Sequence, residues 1–279
     1  MQELTIFNTR AEKQQGDYVK DGLLYCGKCN TPKEYEIELP LDTGKIKRKV
    51  PVMCDCSKQA EKEQAEQRRR LEFKAWQTRM IKENLGNVAN RQCTFAADDL
   101  SNPEATAICK AYVAKWEKVQ QENLGLLFHG SVGTGKTFHA LCIANALIDK
   151  GKSVYFTSIP RELAKLQGAY PEDRQRIMDK LIHCDLLILD DVGSERSTSY
   201  AIEQVYMIID ARHESGKPTI ATTNTSLEEL ENPQEIGYDR IYDRLLSMCQ
   251  FRVRIDGKSK RKDNAQQKED EALRILGLA

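Results

Sequence analysis

The stretch that decides the fold is Gly130-Ser131-Val132-Gly133-Thr134-Gly135-Lys136-Thr137. It follows an apolar run, GLLFH at 125–129, and opens a helical pattern, FHALCIANALID at 138–149. A phosphate-binding loop of the pattern G-x-x-x-x-G-K-[ST] requires this order of strand, loop and helix. The glycines let backbone N–H groups surround an anion, and the start of the helix adds a favourable dipole. All eight residues are therefore predicted to bind the phosphates of a nucleotide.

Two side chains of this loop and two acids further along have predicted roles of their own. Lys136 supplies a point charge to the β- and γ-phosphates, which makes it a candidate catalytic residue, and the Thr137 hydroxyl reaches Mg²⁺. The run LLILDD at 186–191 ends in two carboxylates. Because ligands of open α/β sheets lie off the carboxyl ends of the strands, Asp190 is the predicted second Mg²⁺ ligand. Asp191 is the candidate that polarises the attacking water, and the alternative is that both acids only mark a turn.

A third polar strand end lies in TIATTN at 219–224. Asn224 carries an amide, which both donates and accepts hydrogen bonds and can hold a water beside the γ-phosphate. An asparagine at the end of a strand is also a common turn residue, so that interpretation stays open. Asn224 completes the candidate catalytic residues that the strand pattern indicates.

From residue 124 onward, short β-type runs alternate with helical segments. This alternation predicts an α/β fold with a parallel sheet whose strands are joined by crossover helices. The predicted strands are 125–129, 153–157, 185–190, 218–223 and 250–255.

Four segments together resemble a known family. GSVGTGKT, LLILDDVG, TIATTN and the later Arg240-Ile241-Tyr242-Asp243-Arg244-Leu245 are similar, in order and spacing, to the AAA+ ATPases of the DnaC/IstB group. These are bacterial and phage helicase loaders and a transposition helper ATPase. The resemblance covers about 90–257 and implies a five-stranded AAA+ core. It also implies a head-to-tail homo-oligomer with ATP between neighbouring copies.

The resemblance assigns further roles and leaves some open. It implies that Arg240 reaches into the ATP of the neighbouring copy, while Arg244 pairs with an acid such as Asp239 or Asp243 or braces the helix. The alternative is that both arginines form surface ion pairs. Phe95 stands where the family has an adenine pocket, and it either stacks on the base or fills the core.

One residue departs from the wider AAA+ pattern. The second acid is Asp191, where glutamate is usual in that family. An aspartate is one methylene shorter and reaches less far toward a water. The hypothesis that follows is that ATP hydrolysis is slow, as suits a protein that acts as a timed switch more than as a motor.

Four of the nine cysteines form two close pairs, Cys26-x-x-Cys29 and Cys54-x-Cys56. Zn²⁺ takes four thiolates in a tetrahedron, and two such pairs joined by a hairpin commonly supply them. The segment between the pairs alternates around Asp42-Thr43-Gly44 and predicts a β-hairpin. Free thiols or a redox pair remain the alternatives, although a redox pair would need a βαβ context. The other five are predicted to be small buried hydrophobes: Cys93, Cys109, Cys142, Cys184 and Cys249.

The chain divides into four predicted regions. These are a zinc-binding module at 1–56, a basic helical linker at 57–89, the AAA+ domain at 90–257 and a polar, mobile tail at 258–279. A basic helix directly after the second cysteine pair again resembles DnaC-like proteins with an N-terminal zinc module. In such loaders the N-terminal part grips the replicative helicase, so this module is the expected partner site.

Residues 158–183 are the predicted contact for single-stranded DNA. The family inserts helical elements here that line a central channel, and an ordinary crossover helix with a solvated basic face is the alternative. The basic side chains concerned are Arg161, Lys165, Arg174, Arg176 and Lys180.

Composition limits the class of protein. The 42 lysines and arginines balance 42 aspartates and glutamates, which excludes a globally basic nucleic-acid coat. No apolar run approaches the roughly 18 residues of a membrane helix, no signal peptide is expected, and the cysteine use indicates the cytoplasm.

The leading functional hypothesis is an ATP-dependent helicase loader in DNA replication. Alternatives are an IstB-like transposition helper, a P-loop kinase for a small metabolite and a non-catalytic ATP-binding adaptor. Asn224 and the Arg240 segment argue against the kinase, and the complete phosphate-site set argues against the adaptor.

Overall fold

The computed structural model describes residues 11–41, 44–194, 198–234, 237–257 and 259–276. The chain divides into two compact units, Met1–Lys74 and Ala75–Ala279. The four regions predicted from the sequence are a finer division and stay a prediction.

The first unit contains two antiparallel strand pairs. Strands β1 and β2 pair with each other, as do β3 and β4. Their bounds are β1 Tyr18–Lys20, β2 Leu23–Tyr25, β3 Glu34–Leu41 and β4 Gly44–Pro51. The predicted hairpin is therefore present as β3–β4, while Asp42 and Thr43 of its turn lie outside the described residues.

The second unit is built on a five-stranded sheet. Every neighbouring pair of strands is parallel, and the order is β6-β7-β8-β5-β9. The bounds are β5 Leu126–His129, β6 Val154–Ser158, β7 Leu186–Val192, β8 Thr219–Thr223 and β9 Phe251–Arg254. The predicted α/β class and five-stranded parallel sheet are confirmed.

Helices connect and cover these strands. The first, α1 Asp55–Asn84, is the long helix that the sequence predicts after the second cysteine pair. A short 3-10 helix, Val88–Gln92, follows it. The others are α2 Pro103–Ala114, α3 Trp116–Gln121, α4 Lys136–Asp149, α5 Ile159–Gly168, α6 Pro171–His183, α7 Ser199–Glu214, α8 Leu227–Glu231, α9 Tyr238–Met248 and α10 Lys260–Ile275.

The core lies on both faces of the sheet. Leu126 and Phe128 point to one face, toward α2 and α4, while Leu127 between them points to the other, toward α7 and α9. A strand buried on both faces needs a continuous apolar run, which is why these strands lack the alternation of an exposed strand. The polar ends of β7 and β8 are the exceptions that matter for the site.

The isolated cysteines behave as the sequence predicts. Cys109, Cys142, Cys184 and Cys249 are buried, and Cys93 is partly buried against the core. Burial raises the pKa of both Cys109 and Cys249 to about 12, so these thiols stay protonated.

The polar stretch predicted to be a tail forms a helix instead. Helix α10 begins at Lys260, and its first residue contacts the loop between β5 and α4. Within the described residues, no helix is both long and apolar enough to cross a membrane.

Candidate functional site

The glycine-rich loop at 130–135 joins the end of β5 to the start of α4. Gly130 and Gly133 have φ angles of 135° and 82°, in the region that favours glycine. A Cβ on Gly130 would lie 2.3 Å from the Ile255 carbonyl oxygen, and one on Gly133 would lie 2.3 Å from Ser259 Oγ. Both positions therefore require glycine, because the chain after β9 passes directly against the loop.

Two side chains, one from the loop and one from the first residue of α4, hold the loop in a compact shape. Lys136 is 5% exposed, and its Nζ donates to the carbonyls of Gly130 and Ser131 at 2.8 and 2.7 Å. Thr134 Oγ1 is 2.9 Å from both the Ser131 and the Ile255 carbonyl oxygens. An ammonium group is thus placed beside the N-terminus of α4, where an anion is favoured.

The predicted pair of Mg²⁺ ligands lies together. Thr137 Oγ1 donates to Asp190 Oδ1 at 2.8 Å, and Thr222 Oγ1 donates to the same oxygen at 2.7 Å. A hydroxyl and a carboxylate side by side are the oxygen ligands that Mg²⁺ prefers, so these residues fit the ion. The role of Thr222 was not predicted from the sequence; its signal is a hydroxyl one residue before the end of a fully buried strand.

The backbone conformation of Asp191 differs from that of a regular strand. The pairing of β7 with β8 is irregular between Leu189 and Val192, and Asp191 has a φ of 52°. Its N–H donates to Thr222 Oγ1 at 3.0 Å, and Asn224 Nδ2 donates to Asp191 Oδ1 at 3.3 Å. A β-bulge re-aims a side chain, and here it brings Asp191 and Asn224 to the same cavity.

This cavity has a volume of about 280 Å³ and opens beside the start of α4. Its lining combines residues from the loop, the catalytic candidates Asp191 and Asn224, and two residues without a predicted role, Asp99 and Lys260. The principal lining residues are Ala97, Val132, Gly133, Lys136, Thr137, Phe138, Asp191 and Asn224. Phe95 packs against the core, and Lys110 Nζ lies 5.9 Å from its ring centroid. Of the two roles left open for Phe95, this contact supports filling of the core.

The two arginines of α9 occupy a different surface. Arg240 is exposed and lines a cavity of about 440 Å³ near α7. Arg244 Nε lies 2.7 Å from Asp210 Oδ1, and its guanidinium stacks over Tyr206 at 4.7 Å. The expected pairing of Arg244 with Asp239 or Asp243 is therefore wrong, because packing of α7 against α9 offers Asp210 instead. Arg244 braces the helix, and Arg240 is not among the residues lining the nucleotide cavity of its own chain.

The basic residues predicted to contact DNA divide into two groups. Lys165 Nζ lies 2.5 Å from Glu162 Oε1, and Glu162 is fully buried, so this ammonium is engaged within the domain. Its assignment as a DNA contact is therefore weakened. The other four are exposed, one on α5 and three on α6: Arg161, Arg174, Arg176 and Lys180.

The four predicted metal ligands of the first unit come together. Sγ atoms of Cys26, Cys29, Cys54 and Cys56 all lie within 4.8 Å of one another. Four sulfurs around a tetrahedral Zn²⁺ at 2.3 Å would be about 3.8 Å apart, so the cluster fits the ion. Within the described residues, this is the group of histidine, cysteine and acidic side chains that could hold a metal.

Hydroxyl groups and an ion pair support the cluster. Thr31 Oγ1 lies 3.1 Å from Cys29 Sγ, and Ser57 Oγ lies 3.1 Å from Cys54 Sγ. Hydrogen bonds, with that from Thr31 the strongest, lower the pKa of Cys29 to about 5, whereas hydrogen bonds with the neighbouring thiols raise the pKa of Cys56 to about 12. Asp17 Oδ1 accepts from the Gly27 N–H at 3.0 Å and its Oδ2 from Lys33 Nζ at 2.7 Å. Groups that stabilise thiolates and fix their loop are those that a metal site needs.

The order of the strands defines the class of protein. The loop strand β5 lies between β9 and β8, and the acidic strand β7 lies next to β8. With the lysine, the acids and the asparagine at the carboxyl edge of this sheet, the second unit is an AAA+ P-loop ATPase domain. The chain belongs to the IstB-like ATP binding protein family, whose model matches residues 62–268.

Helicase loaders are among the proteins similar to this chain. The replicative helicase loader DnaC of Escherichia coli (strain K12) is 26% identical over 144 residues, which cover 47% of this chain and 58% of the relative. The replicative helicase loader DnaI of Bacillus subtilis (strain 168) is 27% identical over 182 residues, which cover 60% and 58%. A crystal structure of the DnaC helicase loader matches with a TM-score of 0.53 and 24% identity over 61% of this chain and 100% of that chain. The chain thus spans under two thirds of the curated relatives it matches.

Proposed function

We propose that this chain is an ATP-dependent loader of a replicative helicase in DNA replication. The observation that carries the proposal is the similarity to DnaC and DnaI, joined to a family match at 62–268 that contains the complete nucleotide site. ATP binding drives assembly and holds the helicase for delivery, and hydrolysis releases it.

The residues of the cavity have distinct tasks in this cycle. Lys136 neutralises the β- and γ-phosphates, and Thr137 and Asp190 would hold Mg²⁺, which would supply positive charge to the phosphates. Asp191 orients and polarises the water, while Asn224, hydrogen-bonded to Asp191, positions that water. Because Asp191 is shorter than the usual glutamate, we propose that hydrolysis is slow.

The cysteine cluster supports a zinc-binding module in the first unit. Four cysteine sulfurs within 4.8 Å of one another match the donor set of a structural Zn²⁺ site. Such a metal would fix the two segments that carry the cysteine pairs, because a module of this size has little apolar core of its own. We propose that this module binds the helicase.

Single-stranded DNA and a second copy of the chain are the other proposed partners. The exposed arginines of α6, Arg174 and Arg176, offer charge for the DNA backbone, and the affinity should fall as salt rises. The exposed position of Arg240 supports a task on a neighbouring copy, since it lies away from the nucleotide cavity of its own chain.

An IstB-like transposition helper is the second candidate, favoured by the description of the matching family. It would share the nucleotide site and differ in its partner, a transposase. The cysteine cluster favours the loader, since the helper resembled by the sequence normally lacks such a module. A non-catalytic adaptor is the third candidate, and it would bind ATP without turnover.

Co-purification tests the proposal. The full chain, tagged and mixed with purified replicative helicases, should retain a helicase in the presence of MgATP. Lys136→Ala serves as the nucleotide-site control and should weaken the ATP-dependent part of the retention. A Cys26→Ser variant should lose the helicase while still binding MgATP.

Retention of a transposase, with no helicase retained under either condition, would support the helper instead. Retention of neither partner, together with normal MgATP binding, would contradict both.

A further inference from the structure

The chain after β9 crosses the phosphate loop. We call residues 255–257 and 259–260 the P-loop strap. The Ile255 carbonyl accepts from Thr134 Oγ1 at 2.9 Å, and the Lys260 N–H donates to the Gly133 carbonyl at 3.0 Å. The strap is therefore attached to the loop at both of its ends, and α10 begins directly on the nucleotide cavity.

The side chain of Lys260 extends into this cavity. Its Nζ lies 2.7 Å from Asp99 Oδ1 and 6.0 Å from the centroid of the Phe138 ring. The same Nζ would be 3.9 Å from a Cβ placed on Gly135, the residue that caps α4. An ammonium on the first turn of α4 stands where the loop is expected to hold phosphates.

The partner of Lys260 is a carboxylate that an anion can replace. Hydrogen bonding from Lys260 lowers the pKa of Asp99 to about 2, so this carboxyl group is charged at neutral pH. The two side chains are 32% and 57% exposed. An ion pair this open to water contributes little by itself, whereas a polyphosphate carries several charges and binds at the helix N-terminus.

We propose that Lys260 is a nucleotide-binding residue, supplied by the C-terminal helix, whose ammonium leaves Asp99 to contact the phosphates of bound ATP. The inference rests on the proposed function, because it takes ATP as the ligand of the cavity. Lys260 would be a second positive charge at the nucleotide, beside Lys136. The first turn of α10 would then respond to whether the phosphate loop holds a nucleotide.

Binding of MgATP and of adenosine to the full chain, measured by calorimetry, tests the role of Lys260. Lys260→Ala should weaken MgATP binding about 10-fold, the loss of one charge-assisted contact, and leave adenosine binding unchanged. Lys268→Ala, an exposed lysine on the same helix, is the matched control and should bind both as the wild type does. Asp99→Asn should bind MgATP at least as tightly as the wild type, because the competing carboxylate is gone.

Hydrogen exchange gives a readout that does not depend on affinity. At saturating MgATP, the amides of residues 259–264 should exchange more slowly in the wild type and in Lys268→Ala. In Lys260→Ala this protection should be lost. Lys260→Arg, which keeps the charge, should retain most of both the affinity and the protection, and this excludes misfolding as the cause.

Two failures are distinguishable. If the wild type does not bind MgATP, or binds it as Lys136→Ala does, ATP is not the ligand and the proposed function fails. If the wild type binds MgATP and Lys260→Ala binds it equally well with unchanged protection, the role of Lys260 is overturned and the proposed function stands.

Discussion

At the scale of residues, Asp190 and Asp191 are neighbours in the chain but differ in their surroundings. Asp190 accepts hydrogen bonds from two threonine hydroxyls, Thr137 and Thr222. Asp191 lies in the bulge of β7 at positive φ and accepts from the amide of Asn224. These surroundings support the roles that we propose, a Mg²⁺ ligand for Asp190 and a water-orienting carboxylate for Asp191.

We predict that Asp191→Asn separates binding from hydrolysis. The asparagine keeps the size of the side chain and its hydrogen bonds, but its amide cannot accept a proton from the attacking water. MgATP affinity should stay within about twofold, while kcat should fall at least about 100-fold. Calorimetry and a phosphate-release assay measure the two quantities.

Asp191→Glu is the complementary variant. If the short side chain is what slows hydrolysis, the added methylene should raise kcat at unchanged affinity. An Asp191→Asn variant that turns ATP over at the wild-type rate would exclude Asp191 from the catalytic set.

Arg212 is a residue with a structural role that the sequence did not reveal. It is fully buried, and its Nη1 donates to the carbonyls of Leu181, Ile182 and Cys184 at 2.8–3.1 Å. Its Nη2 donates to the Pro218 carbonyl at 2.6 Å. One guanidinium thus satisfies backbone groups that precede β7 and β8.

We predict that Arg212→Met strongly destabilises the protein. Each buried carbonyl left without a partner costs about 1–3 kcal/mol, so the free energy of unfolding should fall by about 3 kcal/mol or more. Arg176→Met is the control, because Arg176 is exposed and pairs with Asp173 within one helix. Denaturant unfolding followed by circular dichroism measures both, and equal midpoints for the two variants would contradict this role.

At the scale of elements, the cysteine cluster joins separate short pieces. Cys26 and Cys29 follow β2, while Cys54 precedes α1 and Cys56 lies in its first turn. The exposed apolar residues of the hairpin, such as Tyr35 and Ile46, add little core. A bound metal would therefore supply the cross-link that apolar packing does not provide.

We predict one Zn²⁺ per chain, bound by these four thiolates. Elemental analysis of protein purified without chelators should return one zinc, and Cys56→Ser should lower that value while Cys93→Ser leaves it unchanged. Removal of the metal should make Cys29 reactive toward a thiol reagent at neutral pH, because hydrogen bonding lowers the pKa of this thiol to about 5. Cys109 and Cys249 should stay unreactive, since burial raises their pKa to about 12. Protein without metal, in which the first unit is fully folded, would contradict the prediction.

At the scale of the whole molecule, Arg240 and the phosphate loop line different cavities. Arg240 lines the cavity near α7, and Lys136 lines the cavity beside α4. A guanidinium at an exposed site suits contact with a phosphate held by another copy, since its fixed fork matches phosphate oxygens. The catalytic site would then be complete only between two copies.

We predict that Arg240→Ala binds MgATP but hydrolyses it about 1,000-fold or more slowly, the range found for arginines that act on a neighbour. A mixture of Arg240→Ala with Lys136→Ala should recover part of the turnover, because an interface between the two variants pairs an intact loop with an intact arginine. Arg244→Ala is the control, and it should lower stability without being rescued in the mixture. No recovery in a mixture of folded, associating variants would argue against a shared site.

The sequence predicted the class of fold, which is confirmed, and it indicated which residues gather at the candidate nucleotide site. The loop at 130–137, the acids at 190–191 and Asn224 each sit at a strand end, so a local pattern of strand, loop and helix is enough to place them. The cysteine cluster was predictable for a similar reason, because ligand number and spacing limit the metal.

Only the tertiary structure decided the contacts between distant segments. Arg244 pairs with Asp210 rather than with an acid of its own helix, because α7 packs against α9. The bulge that turns Asp191 toward Asn224 depends on the pairing of β7 with β8. Lys260 reaches Asp99 across 161 residues of sequence, since the path of the chain after β9 crosses the phosphate loop. The local spacing of residues in the sequence carries no information about these long-range contacts, because they arise from the packing of the helices and strands.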